Sequence, residues 1–542
     1  MIPVHDPTWF LPLLLYAETH YRFRYFLSFL KKKEPEILAD APHSIEPGQP
    51  LPLLLLAKDA HLYPCTLTRA HITVRGESGS TRQIDLLSEP VLLHEPYWWK
   101  VFSPDVREYS GWIELDVAFT IEAGGLRKTY HNDNYRTSSH KPLRVYIASE
   151  PTPRFDRLYF GDAHTHSNYT EDQVEFGAPL EASLHLCRSM GLSFFCTTDH
   201  SYDLDDKVEN YLENDPSLPK WHAFQKEVTT LNDKHPDFVI LRGEEATVRN
   251  ADDKNVHLLL YGNKTFVPGS GDSAEIWLRT RSEHAIQEAI TLTDGVTAPY
   301  AAHAQENVPL VQRLLLGRGS WSVADLRTNE LAGLQFANGA TDGGFWKGYK
   351  TWVGLLLEGK RLFTVAGNDA HGNFNRFRQL RIPFVMMKEM ESQLFGKVRT
   401  GVFIHGKLTE RSLLEALTSG CMIISDGPVA VIHAAGNLGD TSEIGGKLVC
   451  KQTTIELRVI SNRAMGWIAS ARVFLGIIGL REERILLEKK PGQAAFQFEE
   501  TLRVTIDGGC YIRSEVWTSG EQSYDGRPHF CITNPIWLTP GP

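Results

Sequence analysis

Asp162-Ala163-His164-Thr165-His166 and Gly367-Asn368-Asp369-Ala370-His371 are the stretches on which the reading of this chain turns. Each follows a short apolar run, residues 158–160 and 362–365, that reads as a buried strand. Alternate residues on a strand point the same way. A His-x-His at a strand end therefore aims two imidazoles at one point, and an Asp-x-His aims a carboxylate and an imidazole. Both groups are ligands for Zn, Mn or Fe. A single His-x-His is as easily chance as chemistry. Two such pairs suggest a site for more than one metal ion.

Five further segments run from apolar residues into a potential ligand or a polar loop. Residues 192–198 lead to Asp199-His200, 238–241 to Gly243-Glu244-Glu245, and 296–302 to His303. Residues 256–261 carry His257 near their start, and 334–337 end at Asn338-Gly339. Helix-length stretches separate several of these runs: 178–191, 221–235, 272–292 and 344–359. Strand–helix alternation argues for an α/β fold with a parallel sheet or barrel. In such barrels the functional groups sit at the C-terminal ends of the strands. The ligand candidates lie there, apart from His257. The link from Glu245 to His257 is too short for a crossover helix, so the barrel is expected to be irregular at that point.

In order and spacing, His164-Thr165-His166, Thr198-Asp199-His200, Gly243-x-Glu245, His257, His303 and Asp369-Ala370-His371 resemble the motifs of the PHP (polymerase and histidinol phosphatase) superfamily of metal-dependent hydrolases. The resemblance covers residues 158–372. The run from Gly367 to Asn375 is most similar to the carbaryl hydrolase-type branch. The resemblance implies a distorted (β/α)7 barrel with two or three divalent metal ions, Mn, Zn or Fe. It also implies a ligand set. His164, His166 and Asp369 would hold one metal, with Glu245 bridging to a second that His257 and His303 complete. Glu171, His200 and His371 would form a third. The family often places an Asp where this chain has Glu171 within Tyr169-Thr170-Glu171-Asp172. Glu171 is taken as the ligand, with Asp172 the alternative.

Composition bounds the rest. The 542 residues allow two to four domains. The expected boundaries are a helical arm at 1–39, a β-rich domain at 40–154, the barrel at 155–430 and a second β-rich domain at 431–542. The two β-rich parts are expected to be sandwich-like, because short strand-like runs alternate with turns. The net charge of −10 and the absence of a long basic stripe argue against nucleic acid. Seven scattered cysteines with no Cys-x-x-Cys suggest free thiols in a reducing, cytoplasmic setting. Residues 10–16 are apolar but short and lack a basic lead, so neither a signal peptide nor a membrane span is expected. A homo-oligomer remains open.

By resemblance, the catalytic residues are Asp369, His371 and Glu245. A hydroxide shared between metals would attack, with Asp369 taking its proton. The expected substrate is a small phosphoester. The alternatives are a carboxylic ester, carbamate or amide, or a module that binds metal without catalysis. Arg376, Asn373 and Asn338 are the substrate-binding candidates, Arg376 for a charge-assisted contact with phosphate. Asp199 is expected to orient a histidine and Glu244 to be structural. Gly317-Arg318-Gly319 reads as a plain glycine loop.

Overall fold

The computed structural model describes residues 34–135, 140–170, 177–208, 210–273, 280–376, 379–382, 385–388, 393–437, 439–491 and 495–541. Most of the expected helical arm, residues 1–33, and Glu171 with Asp172 lie outside them.

Residues 36–147 form two small sheets around their own core. One is built from Glu36–Asp40, Leu53–Lys58 and Tyr97–Phe102. The strand Leu53–Lys58 is buried along its whole length. Its period of two explains why. Leu53, Leu55 and Ala57 pack into the N-terminal core, while Leu54 and Leu56 pack into the core of the central region. The neighbouring strand divides likewise, Ile37 and Ala39 going one way and Leu38 the other. This sheet is thus the seam between the N-terminal part and the centre.

The strands that carry the ligand candidates do not close into a (β/α)7 barrel, and that expectation is corrected here. They divide between two sheets. The His-x-His strand, Leu158–His166, pairs in parallel with Phe194–Thr197, which pairs in parallel with Val239–Arg242. Its other edge pairs antiparallel with Arg399–Phe403. From there the sheet runs on through Met422–Ser425, Phe530–Thr533, Cys510–Thr518 and Ile468–Ile477. The second sheet has five strands. Glu245–Arg249 and Asn255–Tyr261 form an antiparallel hairpin, Ala298–Ala301 follows antiparallel, and Gly333–Asn338 and Phe363–Gly367 add in parallel. Three full helices fall where helix-length stretches separate strands: Leu180–Ser189, Pro219–Lys234 and Gly343–Leu357. Among the described residues between His257 and His303, the helix is Ile286–Leu292.

The C-terminal strands are correspondingly not a separate flanking sandwich. They extend the central sheet, and the four-stranded sheet that contains Val429–Gly436 and Gln452–Ile460 packs on that extension. The face between the two central sheets is apolar. Ala163, Phe194, Cys196 and Leu241 of one meet Leu259, Tyr261, Tyr300 and Val365 of the other. This packing holds the two sets of strand ends together. No helix among the described residues is long and apolar enough to cross a membrane. All seven cysteines are free.

Candidate metal centre

Glu245 is the hub. It begins the hairpin strand Glu245–Arg249, three residues beyond the end of the strand Val239–Arg242, and its side chain is fully buried. Its Oε2 lies 3.3 Å from His164 Nε2, 3.3 Å from His166 Nε2 and 3.1 Å from His200 Nδ1. Its Oε1 lies 2.7 Å from His257 Nδ1 and 3.2 Å from His303 Nε2. Five imidazoles thus converge on one carboxylate. Asp369 Oδ1 joins them at 3.0 Å from His166 Nε2 and 3.4 Å from His164 Nε2. The His371 ring stacks on His166 at 4.2 Å.

The backbone is bent to make this possible. His303 and Asp369 both have positive φ, +26° and +51°. Non-glycine residues held there cost on the order of 1–3 kcal/mol, and such strain gathers at functional sites. Gly367 lets the second ligand strand approach the first, because a Cβ there would sit 2.5 Å from His164 Cβ. The Asp369 N–H then donates to the His164 carbonyl at 3.0 Å.

Other side chains contact the ligand candidates from behind or beside. Gln335 Oε1 sits 2.8 Å from His164 Nδ1 and accepts the His303 N–H at 3.3 Å. Asn338 accepts from the Gln335 amide at 3.1 Å, so it acts behind the ligands. Asp272 Oδ2 lies 3.0 Å from His257 Nε2, a carboxylate–imidazole pair of the kind that orients metal-binding histidines. Arg318 bridges the two, with Nε 3.2 Å from Asp272 and Nη2 3.3 Å from His257 Nδ1. Asp272, Arg318 and Gln335 were not among the residues picked out from sequence. The one signal was the pair of glycines around Arg318. Gly317 has a φ of +62°, and a Cβ on Gly319 would lie 2.6 Å from Lys254 Cβ.

Charge follows from this geometry. Burial opposes ionisation of Glu245, but His257, His164 and His200 outweigh it and hold its carboxyl well below the usual range. Asp369 is held low in the same way by His164 and His166. Burial and the neighbouring His166 push His200 down to about 4.

The donor set fits divalent transition metals. Imidazole nitrogens and carboxylate oxygens suit Zn, Mn and Fe. His164 Nε2, His200 Nδ1 and Glu245 Oε2 are buried and close together, yet none has a hydrogen bond of good geometry. Buried polar atoms in that condition need a partner, and a cation between them would supply it. Among the described residues, three groups could each hold an ion: His164, His166, Glu245 and Asp369; His166, His200 and His371; and His200, Glu245 and His257.

Two expectations change, those for Arg376 and Asp199. Arg376 does not face the cluster. Its guanidinium is buried beside Asp40 and Asp133 of the N-terminal part, 3.9 and 4.0 Å away. Asp40 also accepts the Phe374 N–H at 2.8 Å, so this contact anchors the loop that follows His371. Asp199 orients no histidine. It accepts from Ser167 N and Oγ, Thr170 N and Thr197 Oγ, and so shapes the turn after His166. Glu244 accepts from Ser201, Asn263 and Val267 in a buried pocket, and burial pushes its carboxyl up to about 8. A cavity of about 350 Å³ opens on the cluster, lined among others by Tyr202, His257, His303, Arg318, Asp369 and Asn373.

No protein-family model matches the chain, and no curated protein matches it. Among solved structures, a beta-glucuronidase of Bacteroides uniformis aligns at 8% identity over 93% of this chain and 61% of its own, with a TM-score of 0.20. A glycosyl hydrolase family 2 member from Bacteroides cellulosilyticus DSM 14838 aligns at 10% identity over 94% and 63%, with a TM-score of 0.16. A trypsin-activated alpha-2-macroglobulin from Escherichia coli aligns at 9% identity over 96% and 24%, with a TM-score of 0.15. The chain spans less than two thirds of the length of each. Likenesses this loose carry no assignment of fold or chemistry.

Proposed function

We propose that this chain is a metal-dependent hydrolase of small phosphoesters, holding two or three divalent transition-metal ions around Glu245. The observation that carries the reading is the convergence of five imidazoles on the two oxygens of one buried carboxylate, with Asp369 against two of those imidazoles. These are the residues whose motifs resemble the PHP superfamily. The reading rests on them and not on a closed barrel. His164, His166 and Asp369 would hold one ion, His257 and His303 another across Glu245, and His200 with His371 a third.

Bound ions would supply Lewis acidity, lowering the pKa of a coordinated water from ~16 towards 7 and neutralising charge on the attacked group. The chain's own residues do the rest. Asp369 is the ligand carboxylate that reaches the cavity, its side chain 19% exposed. It accepts the proton of the attacking water. The water oxygen bonds to phosphorus as the ester oxygen departs, and Asp369 returns the proton to that oxygen. The buried ligands keep bulk water from their side of the reacting group. A guanidinium at the cavity, Arg318, favours a phosphoester over a neutral carboxylic ester or carbamate.

The test is elemental analysis followed by a substrate panel. Protein reconstituted with Mn, Zn or Fe should hold about two or three ions and turn over p-nitrophenyl phosphate or its bis ester. Less than about one ion per chain removes the metal reading. Turnover of p-nitrophenyl acetate or naphthyl carbamate alone replaces the phosphoester with the ester reading.

A further inference from the structure

We propose that Arg318 and Asn373 form the substrate-recognition pair of this site, Arg318 taking the phosphoryl oxygens and Asn373 a polar group on the leaving alcohol. The proposal rests on the phosphoester reading and narrows it to small, hydroxylated phosphomonoesters. The two residues lie on separate loops, and both line the cavity. Arg318 reaches it from the loop before the strand Gly333–Asn338, and Asn373 from the loop after Asp369 and His371.

Arg318 is held in place by atoms that do not use up its fork. Nε meets Asp272 and Nη2 approaches His257. Asp272 is also engaged by His257 and by the Thr247 hydroxyl, so its two oxygens are shared among three partners. The guanidinium therefore brings a fixed positive charge to a cavity wall that Glu306 and Asp369 also line. A planar guanidinium matches two phosphoryl oxygens.

Asn373 is the independent observation. It is 2% exposed, and neither its amide nitrogen nor its amide oxygen has a hydrogen-bond partner. A buried amide left in that state is costly unless something pairs with it. The amide offers both a donor and an acceptor, which a hydroxyl satisfies and an aryl ring does not. The cavity volume of about 350 Å³ suits a small substrate.

The experiment uses metal-reconstituted full-length protein, with inorganic phosphate as inhibitor and glycerol phosphate and p-nitrophenyl phosphate as substrates. Arg318→Met should raise KM for both substrates and the phosphate inhibition constant by ~10–100-fold. Its kcat and metal content should stay near wild type, and Arg318→Lys should recover part of the affinity. Asn373→Ala should raise KM for glycerol phosphate several-fold while leaving phosphate inhibition and p-nitrophenyl phosphate nearly unchanged. Arg411→Ala, an exposed position at 89%, should match wild type. Unaltered phosphate affinity in Arg318→Met overturns the proposal. So does loss of metal in step with activity, which would make Arg318 a positioning residue for His257. If wild type hydrolyses only carboxylic esters and ignores phosphate, the phosphoester reading itself has failed before Arg318 is reached.

Discussion

The two oxygens of Glu245 divide the cluster into halves of different character. On the Oε2 side stand His164 and His166, both with fully buried side chains, and the nearly buried His200. Asp369 and His371 complete that half through His166. It offers only imidazole and carboxylate. On the Oε1 side stand His257 and His303, and here the chain adds a second carboxylate, Asp272, and a fixed cation, Arg318. A half made only of lone-pair donors is completed by cations. A half that already contains a guanidinium has less room for a further positive charge and faces an anion more readily. The difference suggests a division of labour across one side chain, with tight cation binding on one side and substrate charge on the other.

The largest expected effect comes from removing the shared carboxylate. Glu245→Ala should empty both halves, with metal content falling below one ion per chain and kcat falling by more than ~100-fold. Single ligand losses should separate the halves. His166→Ala should lose more metal than His303→Ala at equal free ion concentration. Equal losses would mean the halves are equivalent. A smaller effect is expected one layer out. Asp272→Asn keeps the shape beside His257 but removes the charge that orients it, and should weaken metal binding about 10–100-fold. Its loss should be confined to the His257 ion, read by titrating metal back into chelated protein. A uniform loss over all ions would break the comparison.

How much of this was readable in the sequence depends on how local each signal is. Strand-end ligands were readable because alternation places His164 with His166 and Asp369 with His371 whatever the strands pair with. Pairing was not. The period of two records which face a residue takes, not which edge its strand joins. A run of C-terminal strands that extends the central sheet therefore reads the same as one that makes a separate sandwich. The irregularity expected between Glu245 and His257 rested on loop length, a local quantity, and an antiparallel hairpin stands there. Arg376 and Arg318 show the same limit for side chains. Arg376 lies five residues after His371, but Asp40 and Asp133, far away in sequence, draw its guanidinium into the N-terminal part. Arg318 lies well away from any motif and still reaches His257. Its flanking glycines were the cue, and they do not say what the loop delivers.

The smallest expected effect is a pH dependence that metal should erase. Burial lowers the His166 pKa, but Asp369 and Glu245 overcome this and raise it to about 10. Burial and Arg318 lower that of His257, and Glu245 with Asp272 raise it to about 9. Both values exceed the ~6.5 of an unfolded-chain imidazole. Each group therefore contributes stability that is fully present below pH ~6.5 and is lost as pH rises towards 9 and 10. His200 has the opposite sign. Its value of about 4 lies below the unfolded one, so its contribution is lost as pH falls from ~6.5 towards 4. Chelated protein should therefore melt highest near neutral pH and lose on the order of a few degrees by pH 9.5. Cations hold the imidazoles neutral and supply the charge that protons supplied in the chelated form. Metal-loaded protein should then show a flatter Tm between pH 7 and 9.5, and His166→Gln should flatten the chelated profile too. A chelated protein whose Tm rises across that interval would mean that the imidazolium–carboxylate contacts of the Oε2 half do not form in solution.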